Sequence, residues 1–129
     1  MKENSLGKVG EITADVINKL NLPILPGTPI YIGRTNVEHM MKKHPEEYIK
    51  YAASLHEILS VPDYVGINPR DGSIEYVKDF FINDEYIKVA VRVANSGEYF
   101  ARSLYSISKT KVQRFIFNGT LKCLTNGTE

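Results

Sequence analysis

Cysteine and net charge are both scarce in this sequence of 129 residues. Cys123 is the only cysteine, so the chain cannot form an internal disulfide, and no nearby Cys or His gives it the spacing of zinc ligands. The 16 Lys and Arg residues and 15 Asp and Glu residues leave a formal net charge of +1. Proteins dedicated to nucleic-acid binding carry a larger basic excess. We therefore expect no extended non-specific footprint on nucleic acid, although a local basic cleft fits this balance.

Long apolar runs are also missing. No segment approaches the ~20 apolar residues of a membrane span, and residues 1–5 lack the apolar stretch of a signal peptide. We expect no membrane association. The length suits one domain over residues 1–129, and 43% hydrophobic residues suffice for a core. We place that core at about residues 28–117, with loose termini at 1–8 and 118–129.

Apolar residues in the first half of the chain have helical spacing. Residues 9–20 predict a short amphipathic helix, and residues 30–32 predict a short strand. Residues 35–38 have the spacing of a capping box, which predicts the start of a second helix. That helix is expected to end at the residue before Pro45, because a proline disfavours helical geometry there. Pro45 also suits the first position of a third helix, predicted to run to about Leu59.

From residue 64 onward the apolar period changes to two, which indicates strands. Four strand candidates separated by turn residues lie at 64–68, 74–81, 86–94 and 99–107, and a short helix is predicted at 109–117. This order predicts an α+β fold, with N-terminal helices packed on one face of a four-stranded antiparallel β meander and a short C-terminal helix. The other face of the sheet is then free to carry function.

Histidine suits proton transfer near neutral pH, and the chain has three. His39 and His44 are five residues apart. On a helix they point about 140° away from each other, which is poor geometry for a shared metal. His44 lies at a helix end, where its ring can enter a cleft. The helix macrodipole alone also favours a surface histidine there. Both interpretations stay open, and His56 is the weakest candidate.

Cationic side chains interrupt two of the predicted strands. Lys88 and Arg92 share one face of the strand at 86–94. Arginine donors match phosphate oxygens, so this face is a candidate contact for nucleic acid. A solvated sheet face explains the same pattern. Lys78 interrupts an otherwise apolar face of the strand at 74–81, either as a phosphate contact or as a lysine that extends along apolar surface to solvent.

Hydroxyl groups are frequent in the last predicted strand. The alternation places Ser103 and Tyr105 on one face of this strand and Arg102 on the other. A hydroxyl-rich strand opposite a helix that carries histidine indicates a site. An edge strand guarded by polar residues is the alternative explanation.

Motifs for metals and nucleotide phosphates are absent from the sequence. There is no Gly-rich phosphate loop, no Gly-x-Ser-x-Gly elbow, no carboxylate cluster for Mg²⁺ and no zinc spacing. We therefore expect no metal and no other cofactor. His, Arg, Lys, Ser and Tyr suit metal-free cleavage of RNA, whose 2′-hydroxyl is itself the nucleophile. A base removes its proton, cations stabilise the phosphorane, and an acid protonates the leaving 5′-oxygen. DNA lacks that hydroxyl.

Four segments of the chain resemble a known group of proteins. They are residues 34–45 (RTNVEHMMKKHP), the helix that ends before Pro62, residues 89–92, and residues 102–109 (RSLYSISK). Together they resemble the phage-type nucleases of the Barnase–EndoU–colicin–RelE-like superfamily. The resemblance covers roughly residues 30–117. It implies helices at the N-terminus, a four-stranded antiparallel meander after them, and RNase or tRNase activity of the toxin or effector type.

The resemblance also implies roles for particular residues. The helix-borne histidine corresponds to His39 or His44, and the His-Pro pair favours His44 as the acid or base. The hydroxyl of the last strands corresponds to Ser103, with Tyr105 as a second candidate. The basic strand residue corresponds to Lys78 or Arg92. The expected set is completed by three further cations as substrate contacts, namely Lys88, Arg102 and Lys109.

The expected function is therefore a metal-independent endoribonuclease that acts on RNA, with tRNA among the candidate substrates. The alternative is a catalytically inactive module of the same fold that binds nucleic acid or a protein. The resemblance further implies an antitoxin or immunity protein as partner. It also implies a cytoplasmic location, or delivery into another cell as an effector.

Overall fold

The computed structural model describes residues 5–124. The strands are β1 (Ser5–Ile12), β2 (Thr28–Gly33), β3 (Tyr64–Ile67), β4 (Ile74–Phe80), β5 (Glu85–Val93), β6 (Tyr99–Ile107) and β7 (Leu121–Cys123). The α-helices are α1 (Ala14–Leu20), α2 (Arg34–Lys43), α3 (Pro45–Tyr51), α4 (Leu55–Ser60) and α5 (Lys109–Phe117), and a 3₁₀ turn (Ala52–Ser54) joins α3 to α4. No helix within residues 5–124 combines the length and the apolar composition needed to cross a membrane.

The strands form one seven-stranded sheet in the order β1-β2-β6-β5-β4-β3-β7. The predicted antiparallel meander is confirmed as the run from β3 to β6. The sheet is larger than predicted, because β2 and β1 extend it beyond β6, and β7 extends it beyond β3. β2 pairs with β6 in parallel only at Ile30↔Tyr99 and Tyr31↔Phe100. α2 follows β2 directly and contacts β6. The helix with His39 therefore lies beside the strand with Ser103.

The N-terminal region differs from the predicted helix over residues 9–20. Ser5–Ile12 is a strand, and the helix begins at Ala14, where the Thr13 hydroxyl accepts a hydrogen bond from the Val16 N–H. The β1–β2 register shifts twice, once near Gly7 and once near Gly10. Each shift interrupts the in–out alternation of side chains along the strand. The apolar residues therefore have a spacing close to that of a helix. The prediction of a loose leader is wrong for residues 5–8, and residues 1–4 lie outside the described part of the chain.

The C-terminal region also joins the sheet. Leu121–Cys123 forms β7 and pairs with β3 through Gly66↔Leu121. The chain passes so close that a Cβ at Gly66 would lie 2.0 Å from the Thr120 carbonyl oxygen. The prediction of a loose tail from residue 118 is therefore wrong for the described part, which ends at 124. Residues 125–129 lie outside it.

The helical segment before β3 differs from the predictions at both ends. α2 begins at Arg34, and its cap residue is Gly33, whose N–H donates to Asn36 Oδ1 at 2.8 Å. The predicted capping box at residues 35–38 is therefore wrong. The helix ends at Lys43, as the following His44-Pro45 pair predicts.

Residues 45–59 do not form a single helix. The helix breaks at Tyr51, whose φ of −119° and ψ of 0° leave the helical region. The Tyr51 ring packs against Phe80, with the ring centroids 4.6 Å apart, and its hydroxyl donates to the Glu85 carboxylate. Contacts distant in sequence thus override local helical preference here.

The two faces of the sheet are covered differently. On one face, apolar strand residues pack with α1, α4 and Met40 of α2 into the main core. On the other face, Val112 of α5 packs with Val77, Ile107 and Leu121. Each fully buried aliphatic side chain contributes about 1.5–3 kcal/mol. α5 covers only the part of this face near Ile107, and a hollow over β5 and β6 remains open beside it.

Candidate active site

The open part of the sheet presents one side of β5 and β6. Lys88 lies directly opposite Tyr105, and Ala90 lies directly opposite Ser103. Side chains alternate between the two faces of a strand, so Lys88, Ser103 and Tyr105 all belong to the face opposite the main core. The structure thus places together three polar residues that the alternating pattern predicted.

A β-bulge in β6 adds Arg102 to this face. Ala90 pairs with Ser103, but Val91 pairs with Ala101, so Arg102 is the extra residue. The alternation predicts Arg102 on the opposite face from Ser103. That prediction is wrong, because both residues line the same hollow.

The N-terminal half of α2 forms the wall of this hollow, which we call the basic cleft. Its volume is about 400 Å³. The lining residues come from α2, the β3–β4 connection, β5 and β6: Thr35, Asn36, His39, Asp71, Ser73, Ala90, Arg92, Arg102 and Ser103. Asn36 and His39 are three residues apart and therefore share a helix face. The structure thus brings His39 to Ser103 and to both arginines.

His44 reaches the same strand from the end of α2. Its ring stacks on Tyr105, with the ring centroids 5.0 Å apart and the planes inclined by 23°. Ser103 and Tyr105 are two residues apart on one strand face, which corresponds to about 7 Å. The two histidines point in different directions around the helix, yet they approach neighbouring positions of β6. The bend of the chain at Pro45 lets His44 leave the helix line.

Lys88 is a buried cation opposite Tyr105 on the same sheet face, and it does not line the basic cleft itself. Its Nζ donates to Glu75 Oε2 at 3.2 Å and lies 5.2 Å from the centre of the Tyr105 ring. Asn68 Nδ2 also donates to Glu75 Oε2, at 3.0 Å. Burial opposes the charge, but a hydrogen bond to Tyr105 and the Glu75 carboxylate outweigh it and raise the pKa of Lys88. Lys88 is thus a fixed positive charge beneath the ring on which His44 stacks.

Arg92 is held at the other side of the basic cleft by Asp71. The Arg92 Nη1 donates to Asp71 Oδ2 at 3.2 Å, and both side chains are about two-fifths exposed, at 39% and 41%. Hydrogen bonds from Ser73, together with the charge of Arg92, lower the pKa of Asp71 below its usual range. This carboxylate is therefore ionised at neutral pH and neutralises one of the two arginines.

Arg102, unlike Arg92, forms no salt bridge with a carboxylate within residues 5–124. Its Nε atom is buried and makes no hydrogen bond within residues 5–124. Burial and the adjacent charge of Arg92 lower the pKa of Arg102, and the Asp71 carboxylate opposes them. A buried donor that lacks a partner has lost its water without compensation. Arg102 also lines the basic cleft, where its positive charge favours an anion.

Two predicted substrate contacts lie elsewhere. Lys78 is part of β4, and its Nζ donates to the Val61 carbonyl at 2.7 Å. Lys109 begins α5, where its charge acts on the Asp79 carboxylate. Neither residue lines the basic cleft. The weakest histidine candidate, His56, also lies apart, with its Nδ1 3.2 Å from the Val9 carbonyl oxygen.

Four residues of this candidate site were not predicted from the sequence, namely Asn36, Asn68, Asp71 and Glu75. Glu75 carried one available signal, because it interrupts an apolar strand between Ile74 and Tyr76. Its pairing with Lys88 depends on the β4–β5 register, in which Glu75 lies opposite Ala90. Asp71 lies in a turn, and only the folded chain brings it to Arg92. Within the described residues, no group of three or more His, Cys, Asp or Glu side chains is arranged to hold a metal ion.

The fold and the cleft define a class: an α+β protein whose antiparallel sheet carries histidines, hydroxyls and cations on one open face. The sequence profile of the phage-Barnase-EndoU-ColicinE5/D-RelE-like nuclease 3 family matches residues 7–114. This range contains the whole basic cleft together with His44 and Tyr105. The chain therefore belongs to this family of nucleases. No curated protein and no solved structure matches the chain.

Proposed function

We propose that the protein is a metal-independent endoribonuclease of the toxin or effector type, with residues 1–129 acting as one nuclease domain. The observation that carries this proposal is the convergence of two histidines on one face of β6. His39 lines the basic cleft with Ser103, and His44 stacks on Tyr105 beside it. Two proton-transfer groups near one strand supply the base and the acid that cleavage by the 2′-hydroxyl needs.

In this proposal the scissile phosphate lies over Ser103, between the two histidines. One histidine takes the proton of the 2′-hydroxyl, whose oxygen forms a new bond to phosphorus. The bond from phosphorus to the 5′-oxygen breaks, and the other histidine donates a proton to that oxygen. The products are a 2′,3′-cyclic phosphate and a free 5′-hydroxyl. We assign the leaving-group proton to His44.

The remaining site residues stabilise charge and orientation. Arg92 donates to the crowded phosphorane through guanidinium N–H groups that do not bind Asp71, and Ser103 provides a hydroxyl donor. Lys88 contributes as the ammonium group of its pair with Glu75. Tyr105 holds the His44 ring by stacking, because the ring centroids are 5.0 Å apart. Arg102, which lines the cleft, contacts the substrate through its guanidinium. Lys78 and Lys109 lie outside the cleft and are not part of the proposed site.

The test is cleavage of defined RNA in EDTA. Purified protein is incubated with total RNA, with tRNA, and with matched oligonucleotides in which every 2′-hydroxyl is replaced by hydrogen. We expect RNA fragments with 2′,3′-cyclic phosphate ends and no cut in the 2′-deoxy oligonucleotides. Cleavage that needs added Mg²⁺, or equal cleavage of the deoxy oligonucleotides, contradicts the proposed mechanism.

A second candidate function is a binding module of the same fold without catalysis. One observation favours it: two of the three site cations, Lys88 and Arg92, are already paired with carboxylates. Its partner would be RNA, or an antitoxin or immunity protein that covers the cleft. Tight RNA binding by the folded protein without any cleavage supports this candidate against the enzyme. Either function is compatible with a cytoplasmic protein or with a delivered effector.

A further inference from the structure

A second hollow adjoins the basic cleft, on the side of the β5–β6 turn. Its volume is about 610 Å³, within the range of about 300–1,000 Å³ typical of small-molecule sites. We call it the side cleft. Four residues line both hollows: Thr35, Asn36, Arg92 and Arg102. The two spaces are therefore continuous across the two arginines.

Arg102 lies where the two hollows meet, and no carboxylate within residues 5–124 forms a salt bridge with it. Arg92 has the Asp71 carboxylate 3.2 Å away. Arg102 faces the like charge of Arg92, and its buried Nε has no hydrogen-bond partner in the described chain. Two guanidinium groups with one carboxylate near them, paired with Arg92, favour the entry of an anion. A phosphate fits best, because a guanidinium donates to two of its oxygens at once.

The far wall of the side cleft suits a nucleoside. It is formed by Ala94, Asn95 and Ser96 of the β5–β6 turn and by Phe100 of β6. Asn95 is exposed, and its amide is of the kind that binds base edges. Ser96 is also exposed, but its hydroxyl already donates to Glu98 Oε1 at 3.1 Å. Val93 and Phe100 add apolar surface to the same lining. An anion site at the entrance and a mixed polar and apolar wall behind it match one nucleotide.

We propose that the side cleft binds the nucleotide one step beyond the two that flank the scissile bond, with Arg102 holding the phosphate that links this nucleotide to its neighbour. This inference rests on the proposed ribonuclease function and deepens it. The substrate is single-stranded RNA with at least two consecutive phosphates. A dinucleotide, which has only the scissile phosphate, leaves Arg102 and the side cleft unused.

The first test compares a dinucleotide with the same dinucleotide extended by one nucleotide, on the 5′ side in one series and on the 3′ side in the other. We expect kcat/KM to rise about tenfold or more on one side only, as a charge-assisted hydrogen bond predicts. In Arg102→Gln and Arg102→Lys the gain from the extension is expected to fall, and further in Gln than in Lys. The matched control is Lys111→Gln, which removes one exposed cation on α5 and keeps the full gain.

The second test does not depend on catalysis. The ¹H–¹⁵N resonance of Arg102 Nε, assigned with the Arg102→Lys variant, is followed on addition of 2′-deoxy dinucleotide and 2′-deoxy trinucleotide. A shift with the trinucleotide and little change with the dinucleotide supports the site, even if no RNA is cut and the proposed function fails. RNA cleavage with no gain from either extension and an unmoved Arg102 resonance overturns the side-cleft proposal and leaves the ribonuclease standing.

Discussion

The basic cleft and the groove beside β1 both place a histidine next to a serine and charged groups, yet their chemistry differs. The groove is larger, at about 640 Å³ against 400 Å³, and it contains His56 and Ser60. Both His56 ring nitrogens are engaged there, Nδ1 with the Val9 carbonyl and Nε2 with Ser60 Oγ, each at 3.2 Å. Lys8 is paired with Glu11 at 2.7 Å.

The groups in the β1 groove therefore satisfy one another. The basic cleft is lined by His39, a second histidine stacks on Tyr105 beside it, and its Arg102 has a buried nitrogen without a partner within residues 5–124. The larger hollow is thus the weaker candidate for chemistry. The unmet hydrogen-bonding capacity of a hollow is a better guide to a polar substrate than its volume.

The largest expected effect comes from replacing one histidine in each of the two regions and comparing the rates of RNA cleavage. His44→Ala is expected to lower the rate of RNA cleavage about 10²- to 10⁴-fold, because a general acid or base is lost. His56→Ala, the matched control, is expected to keep the wild-type rate. Initial rates on one RNA, with circular dichroism to confirm folding, provide the measurement. Equal losses of cleavage rate in both variants would show that the basic cleft and the β1 groove do not differ in their contribution to cleavage.

The next largest effect is expected from breaking the buried Lys88–Glu75 pair, compared with breaking the exposed Lys8–Glu11 pair. Glu75→Gln leaves Lys88 buried without its carboxylate, since the two side chains are only 10% and 6% exposed. We expect the free energy of unfolding to fall by about 3 kcal/mol. Glu11→Gln breaks the exposed Lys8–Glu11 pair of the groove and is expected to leave the urea midpoint unchanged. Comparable midpoints for the two variants would show that the Glu75 pair is not buried in solution.

The smallest expected effect concerns acid stability. The pKa of Asp71 is lowered in the folded protein by hydrogen bonds from Ser73 and by Arg92. Its stabilising contribution is therefore complete above the unfolded pKa of about 3.9 and is lost as the pH falls through the lower folded value. Wild type should lose more stability than Asp71→Asn between about pH 5 and pH 3. Urea midpoints across this range are the measurement, and parallel curves for the two proteins argue against the assignment.

Much of the fold was predictable where the pattern is local. The alternation in Glu85–Val93 identified β5, the spacing in Lys109–Phe117 identified α5, and Pro45 set the end of α2. The elements at the two sheet edges were missed. The register shifts of β1 interrupt the alternation of its side chains, so the strand pattern is not visible in the sequence. β7 is only three residues long, which is too short to show a pattern. The partner of β7 also lies far away in the chain, so no local pattern marks it.

The types of residue at the candidate site were predictable from the sequence. Their arrangement in space was predictable only in part. His44, His39, Ser103 and Tyr105 were candidates from their chemistry, their positions in the sequence and the family resemblance, and the structure places them near one strand. The carboxylates that pair with the cations were missed, because Glu75 meets Lys88 only through the register of β4 and β5. The position of Arg102 was assigned to the wrong face, since a bulge cannot be read from alternation alone.

That bulge has a consequence for how such a site can arise. Strict alternation would put Arg102 among core side chains and Ala101 on the cleft side. One inserted residue reverses this, so that Ala101 is fully buried in the main core while Arg102 lines both clefts. The one extra residue of the bulge thus puts a cationic side chain on the cleft face of the sheet while the core face keeps a small apolar one.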